Sequence, residues 1–133
     1  MPLLPTEADT RNRVELAGFL GRPPVLRYTP NGVPILTLSL VTYHWREVDG
    51  FPEPVGEWHR VTAWHDLAEA HRNLRTGTFL RVQGRLQHHS WENRDGERRW
   101  LTEVVATEIE VDPGGPADRG EQLPLALKGA PRP

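Results

Sequence analysis

Between residues 57 and 87 the chain reads Glu57-Trp-His-Arg-Val-Thr-Ala-Trp-His-Asp-Leu-Ala-Glu-Ala-His-Arg-Asn-Leu-Arg-Thr-Gly-Thr-Phe-Leu-Arg-Val-Gln-Gly-Arg-Leu-Gln87. Its hydrophobic period changes twice. From Glu57 to His65 alternate residues differ in kind, with His59, Val61 and Ala63 on one side and Trp58, Arg60, Thr62 and Trp64 on the other. Successive side chains of a strand point to opposite faces, so this alternation predicts a strand with one face in water. Asp66 then stands three residues before Glu69, the spacing of a capping box, and Leu67, Ala70 and Leu74 share a helical face that Gly77 closes. From Thr78 the alternation resumes, setting Leu80, Val82, Gly84 and Leu86 against Phe79, Arg81, Gln83, Arg85 and Gln87. The stretch predicts strand, short helix, strand.

Three further segments carry the same period of two. Val14, Leu16, Gly18 and Leu20 line one side of Arg13–Leu20, Leu36, Leu38 and Leu40 line one side of Pro34–Tyr43, and Arg98–Val111 is a long final strand. The class is therefore all-β. A small barrel of five strands with one short helix between strands three and four is the OB-fold, a Greek-key barrel. Thr29-Pro-Asn-Gly32 predicts a tight turn. Asp95-Gly96 predicts a two-residue hairpin, with Trp91 directly across from Trp100; a four-residue loop over 93–96 shifts that register by two and still leaves both rings on one side. Arg46–Gly56 holds two prolines and two glycines and is expected to be a long mobile loop between strands two and three.

A length of 133 residues suits one domain. Its hydrophobic residues make up 37% and its charged residues 26%, and no apolar run approaches the roughly 18 residues of a spanning helix. Met1–Thr10 has two prolines, two acids and no basic region, which fits neither a secretory signal nor a transit peptide. Without cysteine there is no disulfide, thiol nucleophile or Cys-ligated zinc. Residues 112–133 contain five prolines and four glycines and are expected to form a disordered tail, in which Leu123, Leu125 and Leu127 alternate. The expected division is a flexible N-terminus over 1–11, an ordered domain over 12–111, and that tail.

The net charge of -2 hides an uneven distribution. Ala70–Trp91 contains Arg72, Arg75, Arg81, Arg85, His71, His88 and His89 and no acid, so it can track phosphates on an otherwise neutral body. An ordinary solvated arginine face gives the same composition. Five tryptophans are the second feature. Trp58 and Trp64 share strand parity with Arg60, Trp91 shares it with Arg81 and Arg85, and Trp45 stands at the mouth of the expected loop. Core packing is the usual use of tryptophan, yet here the apolar alternation runs along the opposite face. Rings interleaved with arginines on an open β-surface suit unpaired bases, which stack on π-faces whatever their identity, while guanidinium groups take phosphates. The six histidines show no metal-ligand spacing and no Ser-His or paired-carboxylate arrangement stands out, so catalysis is not expected.

Asn12-Arg-Val-Glu-Leu-Ala-Gly-Phe-Leu-Gly21, Arg27-Tyr-Thr-Pro-Asn-Gly32, Glu57-Trp-His-Arg-Val61, Leu67-Ala-Glu69, Gly84-Arg-Leu-Gln87, Trp91 and Thr102-Glu-Val-Val105 resemble, in matching order, the blocks of bacterial single-stranded DNA-binding proteins. The resemblance covers about residues 12–111. It implies an OB-fold that binds single-stranded DNA without sequence preference during replication, recombination and repair. It also implies a homotetramer in the cytoplasm at the nucleoid, with no cofactor, no metal and no membrane. The family's base-stacking positions fall on Trp45, Trp58, Trp64 and Trp91, with Trp64 replacing a phenylalanine; Trp100, where tyrosine is common, is a further stacking candidate. Arg60, Arg72, Arg75, Arg81 and Arg85 are the candidates for phosphate contact, and His59 matches a subunit-interface histidine.

Two departures stand out. Asn73 occupies a position where an aromatic is frequent, and the last ten residues hold Lys128 and Arg132 and no acid. The acidic tip through which family members recruit replication and repair proteins therefore has no counterpart there. An alternative reading follows: an OB-fold adaptor, of primosome type or a specialised paralogue, acting mainly through protein contacts.

Overall fold

A computed structural model of the chain describes residues 10–113, so most of the expected N-terminal (1–11) and C-terminal (112–133) segments lies outside the described residues. The elements run β1 Val14–Leu20, β2 Val25–Tyr28, β3 Pro34–Val48, β4 Phe51–Trp64, α1 Asp66–Ala70, β5 Phe79–Glu92 and β6 Arg98–Asp112. The strands pair in the order β1-β5-β6-β4-β3, and β1 returns to β3 through Phe19↔Val41 and Leu20↔Leu40. That return closes five strands into a barrel, with β2 added along β3. Only β4 and β6 run parallel, through Val61↔Val104 and Thr62↔Val105. With α1 between the third and fourth barrel strands, this is the OB-fold.

The alternation seen in the sequence becomes the barrel interior. Leu20, Leu36, Leu38, Leu40, Val61, Ala63, Leu80, Val82, Val104 and Ala106 form one buried cluster. Each large aliphatic side chain so placed contributes about 1.5–3 kcal/mol relative to an exposed one. The helix adds Ala68, fully buried, with Leu67 and Leu74 packed against the cluster.

The structure corrects four local expectations. First, β2 is a strand that four residues after Pro23-Pro24 do not announce; it forms the far arm of the Thr29–Gly32 turn, where Gly32 N donates to Thr29 O at 2.8 Å. Second, Asp66 is the first helical residue and not its cap. His65, at φ 57, precedes the helix, no side-chain cap bond forms, and the five-residue helix leaves Ala70 exposed.

Third, Arg46–Gly56 is no loose loop. Strands β3 and β4 stay paired out to Val48↔Phe51, and only Asp49 and Gly50 make the turn. Both have positive φ, 52 and 82, as a type I′ turn demands. Pro52 and Pro54 lie two apart and so turn their nitrogens toward the same edge of β4, where no strand pairs with it in this stretch.

Fourth, the β5–β6 connection has an odd length. Asn93 N donates to Glu97 O at 2.9 Å, Asn93 Oδ1 accepts from the amides of Asp95 and Glu97, and Gly96 takes φ 78. This three-residue loop pairs Trp91 with Arg99 and Ser90 with Trp100. The two rings therefore lie on opposite faces of the ribbon, because one added loop residue inverts every side chain beyond it.

Candidate nucleic-acid interface

The register assembles one outer surface across β2, β3, β4, β6 and β5. Reading across the strands, Arg27 meets Ile35 and Trp64; Thr37 meets Thr62, Val105 and Arg85; Ser39 meets Arg60; and Val41 meets Trp58. Further out on β3 and β4, Tyr43 pairs with Gly56 and Trp45 with Pro54. On the other arm Glu103 pairs with Gln87, Leu101 with His89 and Arg99 with Trp91. The irregularity between Gln83 and Gly84 places the extra residue, Thr107, on β6 and leaves the parity of β5 intact. Trp45, Trp58, Trp64 and Trp91 thus share one face with Arg60 and Arg85.

These rings differ in access. Trp45 is 71% exposed, Trp91 47% and Trp64 41%, whereas Trp58 is half-buried. A Cβ on Gly21 would stand 2.6 Å from the Trp58 ring, and the Arg22 guanidinium carbon lies 5.0 Å from its centroid. Only glycine allows so close an approach of the β1–β2 connection to the indole.

A polar network underlies the same surface. Glu103, 7% exposed, lies within hydrogen-bond distance of His89 Nε2 at 2.7 Å and faces Arg60 Nε at 3.5 Å. That second approach is an ion pair lacking hydrogen-bond geometry, which leaves Arg60 Nε among the buried groups without a partner. The others among the described residues are Arg22 Nη2, Tyr43 Oη, Trp58 Nε1 and Thr62 Oγ1. All five can donate a hydrogen bond, and all lie on this face or directly over it. A buried donor left unpaired costs about 1–3 kcal/mol, which an acceptor reaching it would relieve. Burial raises the Tyr43 phenol above its ordinary value, which keeps it a neutral donor.

The remaining candidates sit elsewhere. Arg72 and Arg75 are exposed in the segment between α1 and β5. Arg81 lies over Phe79, opposite Glu110 and 4.0 Å from Asp112, in a region that also carries Glu15 and Glu108. His59 is on the reverse of the β3–β4 hairpin, 2.8 Å from Thr42 Oγ1; burial lowers its pKa, with Glu57 acting against that shift. Trp100 is 71% exposed on the reverse of the other hairpin. Sequence reasoning missed Arg22, Arg27, Tyr43 and Glu103. Arg27 and Tyr43 were legible in principle, since both keep the outward parity of their strands. Arg22 and Glu103 meet their partners only through the folded chain.

Comparison with known proteins places the chain in a family. The profile of the Single-strand binding protein family matches residues 11–112. A single-stranded DNA-binding protein of Thermus aquaticus is 42% identical over 117 residues, covering 88% of this chain and 44% of its own length. Single-stranded DNA-binding protein 1 of Xylella fastidiosa is 34% identical over 123 residues, covering 85% of this chain and 90% of its own. The chain thus spans less than half of one relative and nearly all of the other. The crystal structure of a deletion mutant of the Thermus aquaticus single-stranded DNA binding protein superposes with a TM-score of 0.68 at 34% identity, covering 80% of this chain and 52% of that one. By that profile and these relatives, the chain belongs to the Single-strand binding protein family.

Proposed function

We propose that this protein binds single-stranded DNA along the outer face of β3, β4, β6 and β5, protecting exposed strands during replication, recombination and repair. One observation carries the reading: four tryptophans and two arginines share a surface whose buried donors lack partners. Bases of a single strand stack on the open rings, at about 1–3 kcal/mol each, and its phosphates accept from the arginines. A duplex hides its base faces from such a platform. Stacking reads no base identity, so sequence preference is weak. The protein acts as a binder, without cofactor, in the cytoplasm at the nucleoid.

The same reading includes a homotetramer. One barrel offers a short path, so several copies are needed to wrap a long strand, and His59 on the reverse face is the residue assigned to a subunit contact. Arg60 and Arg85 are the phosphate contacts the geometry favours; Arg72, Arg75 and Arg81 stand apart from the rings. Titrating oligo(dT) and a duplex of equal length at moderate salt tests the reading. Clear preference for the single strand is expected, and equal affinity overturns it. Light scattering on the full chain is expected to give four copies, and a monomer contradicts the assembly.

A further inference from the structure

The least accessible tryptophan on the interface is covered by a side chain of the protein itself. Arg22 stands over the Trp58 ring with its guanidinium carbon 5.0 Å from the centroid, where a cation is attracted to the π-face. The backbone beneath it is fixed. Gly21 N donates to Ser39 O at 2.8 Å, and Gly21 has no room for a Cβ between Val41 and the indole. Arg22 precedes Pro23-Pro24, which confines it to extended backbone. Any movement here therefore belongs to the arginine side chain.

That side chain is poorly satisfied where it lies. Arg22 Nη2 is buried with no hydrogen-bond partner, an unfavourable state for a charged donor. It gains by leaving for an acceptor, provided something replaces it on the ring. A nucleotide supplies both, a base for the indole and a phosphate for the guanidinium.

We propose that Arg22 is a displaceable cover on Trp58: it occupies the stacking place in the free protein and swings to a phosphate when a base takes that place. The proposal rests on single-stranded DNA being the ligand. Covering the ring costs affinity, and the phosphate contact returns some of it, so the two effects separate with ionic strength. Near 1 M salt the screening length is about 3 Å and the phosphate contact is weakened, leaving the cost of uncovering exposed.

The experiment compares the full chain with Arg22→Ala and Arg22→Gln, titrating a short oligo(dT) from low salt to about 1 M. Both variants are expected to bind about two- to fivefold tighter than the unaltered protein at the high-salt end. Both should also show a salt slope shallower by about 0.7. In a Trp58→Ala background the high-salt gain is expected to vanish, which a structural role for Arg22 does not predict. Weaker or equal binding at high salt overturns the cover, as does a gain that persists without Trp58. Should the unaltered protein fail to bind oligo(dT) at any salt, the DNA reading itself fails, an outcome distinct from normal binding with no effect of Arg22.

Discussion

Trp91 and Trp100 stand on opposite faces of the β5–β6 ribbon, the first paired with Arg99 and the second with Ser90. Only Trp91 shares a side with Arg60, Arg85 and the other three rings. Trp91→Ala should therefore cost about 1–3 kcal/mol of affinity for a short oligo(dT). Trp100→Ala should change it by less than about 0.5 kcal/mol, the usual effect of a surface substitution. Parallel fluorescence titrations check both, with thermal unfolding to show that neither variant has lost its fold.

Glu103 places a carboxylate beneath the outer surface of the barrel, 2.7 Å from His89 and facing Arg60 at 3.5 Å. Glu103→Gln removes that charge and releases Arg60. The slope of log affinity against log salt should steepen as Arg60 takes a phosphate fully, and Arg60→Gln should flatten it, the two changes together amounting to the one contact's share of about 0.7. Titrations at several salt concentrations read both slopes.

Gly50, at φ 82, turns the β3–β4 hairpin that carries Trp45. An L-residue in left-handed backbone costs roughly 1–2 kcal/mol. Gly50→Ala should loosen the hairpin tip and weaken oligonucleotide binding, with little change in the unfolding of the barrel below it. Hydrogen exchange localised to residues 46–53, together with a titration, tests this.

His59 makes stability depend on pH. Burial lowers its folded pKa below the ordinary 6.5, so between those two values the unfolded chain binds a proton that the folded one does not. The stabilising contribution of the neutral ring is complete above about pH 6.5 and declines as pH falls toward the folded pKa. Denaturant unfolding at fixed protein concentration should show this decline below pH 6.5, and His59→Gln should make it shallower.

Much of this was legible before the fold was known, for a physical reason. Leu36, Leu38 and Leu40, or Leu80 and Val82, alternate with polar neighbours because one side of each strand meets the core and the other meets water. The outward parity of Trp58, Arg60 and Trp64 follows directly. What was illegible depended on single residues. One extra loop residue moved Trp100 to the far face, and no propensity distinguishes a two-residue turn at Asp95-Gly96 from a three-residue one ending on Gly96. Pro52 and Pro54 argued for a loop, although prolines two apart are tolerated where both nitrogens face an open edge. Asp49-Gly50 is the same dipeptide as Asp95-Gly96, and it is where the hairpin turns. Arg22 on Trp58 and Glu103 between His89 and Arg60 join residues distant in sequence, which a strand period does not reveal.

The central claim is that one face of the barrel stacks the bases, and substituting the tryptophans one at a time tests it most directly. Trp45→Phe, Trp58→Phe, Trp64→Phe, Trp91→Phe and Trp100→Phe each keep an aromatic ring while removing one indole signal. On saturation with oligo(dT), the first four variants should each lose part of the fluorescence quenching seen in the unaltered protein, and Trp100→Phe should lose none. Quenching that survives in all four, or disappears with Trp100→Phe, contradicts the account.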